Sequence, residues 1–235
     1  MTDRRDLPSP PSHPVLSPSV VVRGEEELTL PGLPGEPSLE AQARGGGPDA
    51  TRGVLLCHPH PLYGGTMHSA VVVAIAKVLA EEANGRVASL RFNFRGVGAS
   101  EGAFGDGLGE VLDARAALRA LQRRAPRAKI TVCGYSFGTW VGLRAAAIEG
   151  GVDRVALVAP AVRIFDFQGA DAATLGGPIA IYVGDRDEFC TVDEARGLAR
   201  SLGASLEILP GNDHFFLASR RKLAEGLLPF LAPLT

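Results

Sequence analysis

The chain has 235 residues, 46% of them hydrophobic, which is enough to fill the core of one domain and shows no fibrous or repeat bias. A formal net charge of -2 at pH 7 supplies no concentrated basic face, so neither nucleic acid nor an anionic membrane is expected as a partner. Three cysteines are too few for a disulfide scaffold, no secretory h-region follows Met1–Arg5, and the strongest apolar run, Ala70–Ala80, is short and contains Lys77. The expected location is therefore the cytoplasm.

Residues 1–19 are rich in proline and serine (Pro8, Pro10, Pro11, Pro14, Pro18), a composition that reads as a flexible leader, with residues 20–235 forming a single domain. Extended segments around Val20–Val22 with Leu28–Leu30, and around Leu39–Ala43, separated by Pro and Gly turns, predict an antiparallel opening hairpin. After the glycine loop 45–47 the pattern changes. Short, almost wholly apolar runs (Gly53–Cys57, Arg86–Phe92, Lys129–Cys133, Val155–Ala159, Ile179–Val183, Ser205–Leu209) alternate with helical stretches. The helices are predicted over Met67–Ala83, Leu108–Arg124, Phe137–Glu149, Val192–Leu202 and Leu217–Leu231, with a capping-box spacing at Thr191–Glu194. Strands buried on both faces, with helices between them, predict a doubly wound, mostly parallel α/β sheet whose ligands sit at the C-terminal strand ends. Cys57 and Cys133 fall on two such strands and read as small apolar core side chains.

Gly134-Tyr135-Ser136-Phe137-Gly138 stands between an apolar strand and a helix, where two glycines let the backbones approach and Ser136 is left at the tip of a sharp turn. A serine hydroxyl needs a base and a group to orient that base. His214 lies in a loop after the last strand, and Asp187 in a loop after the preceding strand, with Asp185 two residues earlier as its rival. All are on the sheet edge where Ser136 lies.

The chain order Ser, Asp, His is that of an α/β-hydrolase. The blocks HPHPLYGGTMHS (58–69), RFNFRGVGASEG (91–102), GYSFG (134–138), GDRDEF (184–189) and GNDHFF (211–216), in this order and spacing, resemble the small cytoplasmic α/β-hydrolases of the carboxylesterase and dienelactone-hydrolase-like group, over roughly residues 50–235. The resemblance implies a Ser136–His214–Asp187 triad, the later aspartate being the acid, and an oxyanion hole of two backbone N–H groups. One is that of Phe137. For the other, Pro59 and Pro61 have no N–H to give, so His60 is the first choice, with Leu62 and Tyr63 as fallbacks. Leu62, Tyr63 and Tyr135 are candidates to line the substrate pocket.

The remaining features read as structural. His58, His60 and His68 lack the companions of a metal site, and no metal or cofactor is expected. Block 91–102 lacks the ending of a P-loop and reads as a turn in which Arg95 anchors loops. Trp140 and the Phe215–Phe216 pair read as core. Only about twenty residues separate the strands ending at Ala159 and starting at Ile179, too few for a helical lid. The expected activity is hydrolysis of short, soluble carboxylic esters through an acyl-enzyme. Acyl transfer, lyase or cyclase chemistry, or a non-catalytic binding role, are the alternatives.

Overall fold

Eight strands form one sheet in the order β1-β2-β4-β3-β5-β6-β7-β8. The computed structural model describes residues 19–82, 86–167 and 172–233, so the expected leader lies, apart from Ser19, outside the described residues. β1 (Glu26–Leu30), β2 (Leu39–Arg44) and β4 (Val87–Phe92) are joined antiparallel, Leu28 facing Ala41 and Ala41 facing Phe92. From β4 onward the pairing is parallel through β3 (Arg52–Cys57), β5 (Lys129–Tyr135), β6 (Val152–Val158), β7 (Ile179–Gly184) and β8 (Ser205–Leu209). This is the predicted doubly wound sheet with its antiparallel hairpin, and among the described residues the connection from β6 to β7 inserts no lid domain.

The helices divide between the two faces as the apolar stripes require. α1 (Ala70–Glu82) and α5 (Arg220–Leu231) cover one face, with Val71, Ile75, Leu79, Leu223 and Leu227 packed on Val54, Leu56 and Tyr182. α2 (Leu108–Arg124), α3 (Phe137–Glu149) and α4 (Val192–Leu202) cover the other, with Leu118, Val141 and Leu198 packed in the cluster that holds Leu55, Val132 and Ile181. β3, β4 and β7 are buried at every position, hence their largely apolar sequences, interrupted only by Arg52 in β3 and by Ser89 and Arg91 in β4. Cys57 and Cys133 do lie on neighbouring strands, but Cys133 pairs with Leu56, one residue short of Cys57, so the two thiols belong to opposite faces.

Several boundaries differ from the sequence reading: β6 starts at Val152 rather than Val155 and β5 runs on to Tyr135, and three further differences have a visible cause. α1 starts at Ala70 rather than Met67, because side chains hold residues 66–69 in a turn: the Ser69 hydroxyl accepts the Thr66 N–H, the Thr66 hydroxyl accepts that of His68, and Asn93 Oδ1 accepts that of Met67 at 2.8 Å. α5 starts at Arg220 rather than Leu217, after turn bonds from Phe216 N to Asp213 O and from Ser219 N to Phe216 O. Val20–Val22 is not a strand; β1 spans Glu26–Leu30 alone.

Residues 20–25 are held instead by a charge that periodicity could not place. Arg91, 1% exposed in β4, donates to both carboxylate oxygens of Glu25 (2.9 and 2.6 Å), to the Met67 and Val20 carbonyls, and to Gln42. A buried guanidinium is tolerable only when compensated in this way. Glu25→Ala is therefore expected to destabilise the fold by about 3–5 kcal/mol, read as a lower urea midpoint, because it strands the buried cation.

Candidate active site

The turn after β5 is built on two close approaches. A Cβ on Gly134 would lie 2.2 Å from the Gly138 carbonyl oxygen, and one on Gly138 would lie 2.3 Å from that of Cys57. Only glycine lets β5 enter α3 so abruptly and lets α3 begin against the end of β3. Between them Ser136 has φ 54° and ψ −118°, a conformation an L-residue reaches only under about 1–3 kcal/mol of strain held by its surroundings. Its N–H is tied to Val158 O, and its Oγ stands before the first turn of α3.

Ser136 Oγ lies 3.0 Å from His214 Nε2, and His214 Nδ1 lies 2.9 Å from Asp187 Oδ2. The imidazole thus carries its proton on Nδ1, facing the carboxylate, and accepts at Nε2. Asp187 is buried and its Oδ1 also accepts the N–H groups of Phe189 (2.8 Å) and Cys190 (3.2 Å). The loop carrying His214 is steadied by the Tyr135 hydroxyl, which donates to the His214 carbonyl at 3.1 Å. Burial pushes the Tyr135 phenol up, so it remains a donor. Asp185 is elsewhere, accepting the Gly211 N–H at 2.7 Å as a turn residue.

The loop after β3 runs beside this group. Among the described residues, neither the His60 nor the Phe137 backbone N–H has a protein acceptor, whereas the fallback donors are engaged: Leu62 N–H donates to His60 Nδ1 and Tyr63 N–H to His60 O. The His60 ring packs on Phe137 at 4.8 Å, on Tyr63 at 4.9 Å and on Phe104 at 5.0 Å, and burial lowers its pKa to about 4, so the ring is neutral. Arg95 anchors the loop opposite, donating to Asp113 and to Glu36.

A cavity of about 360 Å³ opens above Ser136 and His214. Tyr63 and Tyr135 are among the residues around it; Leu62 is not, its side chain standing at the surface. Phe215, read as core, lines the cavity half exposed beside His214, while Phe216 is fully buried. Ile164, Phe165 and Phe189 line it too and escaped the sequence reading. Phe189 and Phe215 stand two and one residues past Asp187 and His214, a signal that was available; Phe165 lies in a segment without a motif. Trp140 forms the outer layer, its ring centroid 5.7 Å from that of Phe165, with Nε1 donating to Asp166 O. A wider groove of about 530 Å³ between α1 and α5 contains none of Ser136, His214 or Asp187.

Of the other histidines among the described residues, His58 and His68 make structural contacts. His58 is fully buried; its Nε2 accepts the Phe94 N–H at 3.0 Å, while Nδ1 meets the Pro59 carbonyl at 2.6 Å, an arrangement only the neutral ring satisfies. His68 Nδ1 lies against the Val20 backbone. Burial lowers the His58 pKa to about 3, against about 6.5 in an unfolded chain. The sign follows: the unfolded state takes up the proton first, so stability is complete above about pH 6.5 and is lost as pH falls toward 3, by up to about 1.4 kcal/mol per unit for this one group. The urea midpoint is expected to fall between pH 7 and 5.5, and His58→Gln to flatten that slope.

The profile of the dienelactone hydrolase family matches residues 103–226, more than half the chain and a span that includes Ser136, Asp187 and His214. The chain belongs to the dienelactone hydrolase family. It is 34% identical over 186 residues to an uncharacterized protein of Rickettsia prowazekii (strain Madrid E), covering 75% of this chain and 77% of that one. Among solved structures it resembles an α/β serine hydrolase homologue from Coxiella burnetii (32% identity, 91% of this chain and 100% of that one, TM-score 0.75). It also resembles an α/β serine hydrolase without a lid from Xanthomonas campestris (28% identity, 92% and 100%, TM-score 0.73). This family member is thus an α/β-hydrolase-fold enzyme of the hydrolase class. Among its described residues no helix is long and apolar enough to cross a membrane.

Proposed function

We propose that this dienelactone-hydrolase-family enzyme is a serine hydrolase that cleaves carboxylic esters through an acyl-enzyme, with Ser136 as nucleophile, His214 as base and Asp187 as the acid that orients it. The observation that carries the reading is the unbroken relay of short contacts, Ser136 Oγ to His214 Nε2 at 3.0 Å and His214 Nδ1 to Asp187 at 2.9 Å, at the floor of an accessible cavity. His214 takes the Ser136 proton as Oγ attacks the ester carbonyl. The backbone N–H groups of Phe137 and His60 receive the oxyanion, and the imidazolium then protonates the departing alcohol. Water repeats the cycle on the acyl-enzyme and releases the acid. No metal or cofactor enters these steps.

The uncovered cavity favours small esters. The three cysteines are buried and unpaired among the described residues, which suits the reducing cytoplasm we assign to the protein. The test is hydrolysis of p-nitrophenyl acetate and butyrate by the purified chain, together with fluorophosphonate labelling located by peptide mass. Turnover that stops in step with labelling of Ser136 is the expected result. Absence of turnover, or label elsewhere, refutes the reading.

A further inference from the structure

The cavity walls are far more aromatic than a site for acetyl or butyryl groups requires. The His60, Tyr63 and Phe165 rings form one stretch of the cavity wall, His60 and Phe165 stacked with centroids 6.2 Å apart and an interplanar angle of 30°. Phe189 and Phe215 form a second stretch of the same cavity wall and stand edge-on to His214, at 4.6 and 5.4 Å. Phe137 and Trp140 back the first stretch, 5.3 and 5.7 Å from Phe165. Leu62 N–H donates to His60 Nδ1, which places the ring proton on Nε2 and holds the imidazole in one neutral orientation. Flexible aliphatic side chains would fill such walls at lower cost if the only need were to exclude water. Rings held at fixed angles by one another discriminate by shape and by π-contact.

Resting on the esterase reading above, we propose that the cavity selects esters bearing a flat aromatic ring, received against the His60–Phe165 and Phe189–Phe215 stretches of its walls. These walls then determine specificity, and a saturated ring of the same size is the disfavoured competitor, since its thickness and lack of a π-face forfeit the offset-stacked and edge-to-face contacts.

Two matched pairs test this and separate an aromatic acyl group from an aromatic alcohol: methyl phenylacetate against methyl cyclohexylacetate, and benzyl acetate against cyclohexylmethyl acetate. Each kcat/KM is divided by the ester's rate with hydroxide. The aromatic member is expected to be favoured about tenfold in at least one pair, and that ratio to shrink toward unity in Phe165→Leu or Phe215→Leu, which keep the wall apolar but remove the ring. Ratios within about twofold in both pairs, in enzyme that still hydrolyses p-nitrophenyl acetate, overturn the aromatic preference and leave the esterase reading standing. A preference that survives both substitutions together overturns its assignment to these walls. Absence of acetate hydrolysis overturns both readings at once.

Discussion

Ser136→Ala is expected to lower kcat for p-nitrophenyl butyrate by at least about 10⁴-fold while leaving the urea midpoint unchanged or slightly raised. The substitution removes only Oγ. Alanine keeps the Cβ and therefore the same strained backbone at φ 54°, and the Ser136 N–H bond to Val158 is untouched, so the loss reports chemistry rather than folding. The double variant with His214→Ala is expected to be scarcely worse than either single one, because a nucleophile without its base and a base without its nucleophile fail at the same step. Initial rates with active-site titration check both. A Ser136→Ala enzyme that keeps most of the activity would require a different nucleophile.

Asp187→Asn is expected to cost about 10⁴-fold in kcat with the fold intact. The reason lies in its backbone partners. Oδ1 accepts the N–H groups of Phe189 and Cys190, so an asparagine must keep its carbonyl oxygen there and turn its NH₂ toward His214. His214 Nδ1 then accepts, the ring proton moves to Nε2, and the imidazole presents a donor where Ser136 needs an acceptor. Asp185→Asn is the internal control: its carboxylate holds the Gly211 N–H away from the imidazole, and its replacement is expected to leave kcat nearly unchanged. Single-turnover kinetics on the two variants distinguish them. Equal losses would mean that the acid has been misassigned.

What was legible in the sequence was what a local pattern or a covalent constraint encodes. β7 and most of β3 announce themselves because a strand covered on both faces has no polar side to interrupt it, and α4 because Thr191 and Glu194 cap each other. The nucleophile turn is legible because Gly134 and Gly138 answer to backbone contacts that admit no side chain. The prolines around His60 narrow the choice of free N–H groups by chemistry alone. The start of α1 was not legible, because the turn before it depends on Asn93, a partner 26 residues away. The burial of Arg91 was not legible either, since nothing local says that Glu25 will meet it. The cavity walls were the least readable of all. Phe165 and Phe215 look like any other core phenylalanine until the loops are folded, and what separates Phe215 from buried Phe216 is one positive φ, 49° at Phe216, within a turn.

Trp140 is the sole tryptophan of the chain, and its indole rests against Phe165 at the back of one cavity wall. Its fluorescence is therefore a single-site signal, free of background from any second indole. Arg144, 4.4 Å over the indole ring, adds a fixed charge whose field helps to set the emission wavelength. A molecule wedged against Phe165 shifts the ring on which the indole leans, so a change in emission on titration measures occupancy directly, with no turnover and no attached dye.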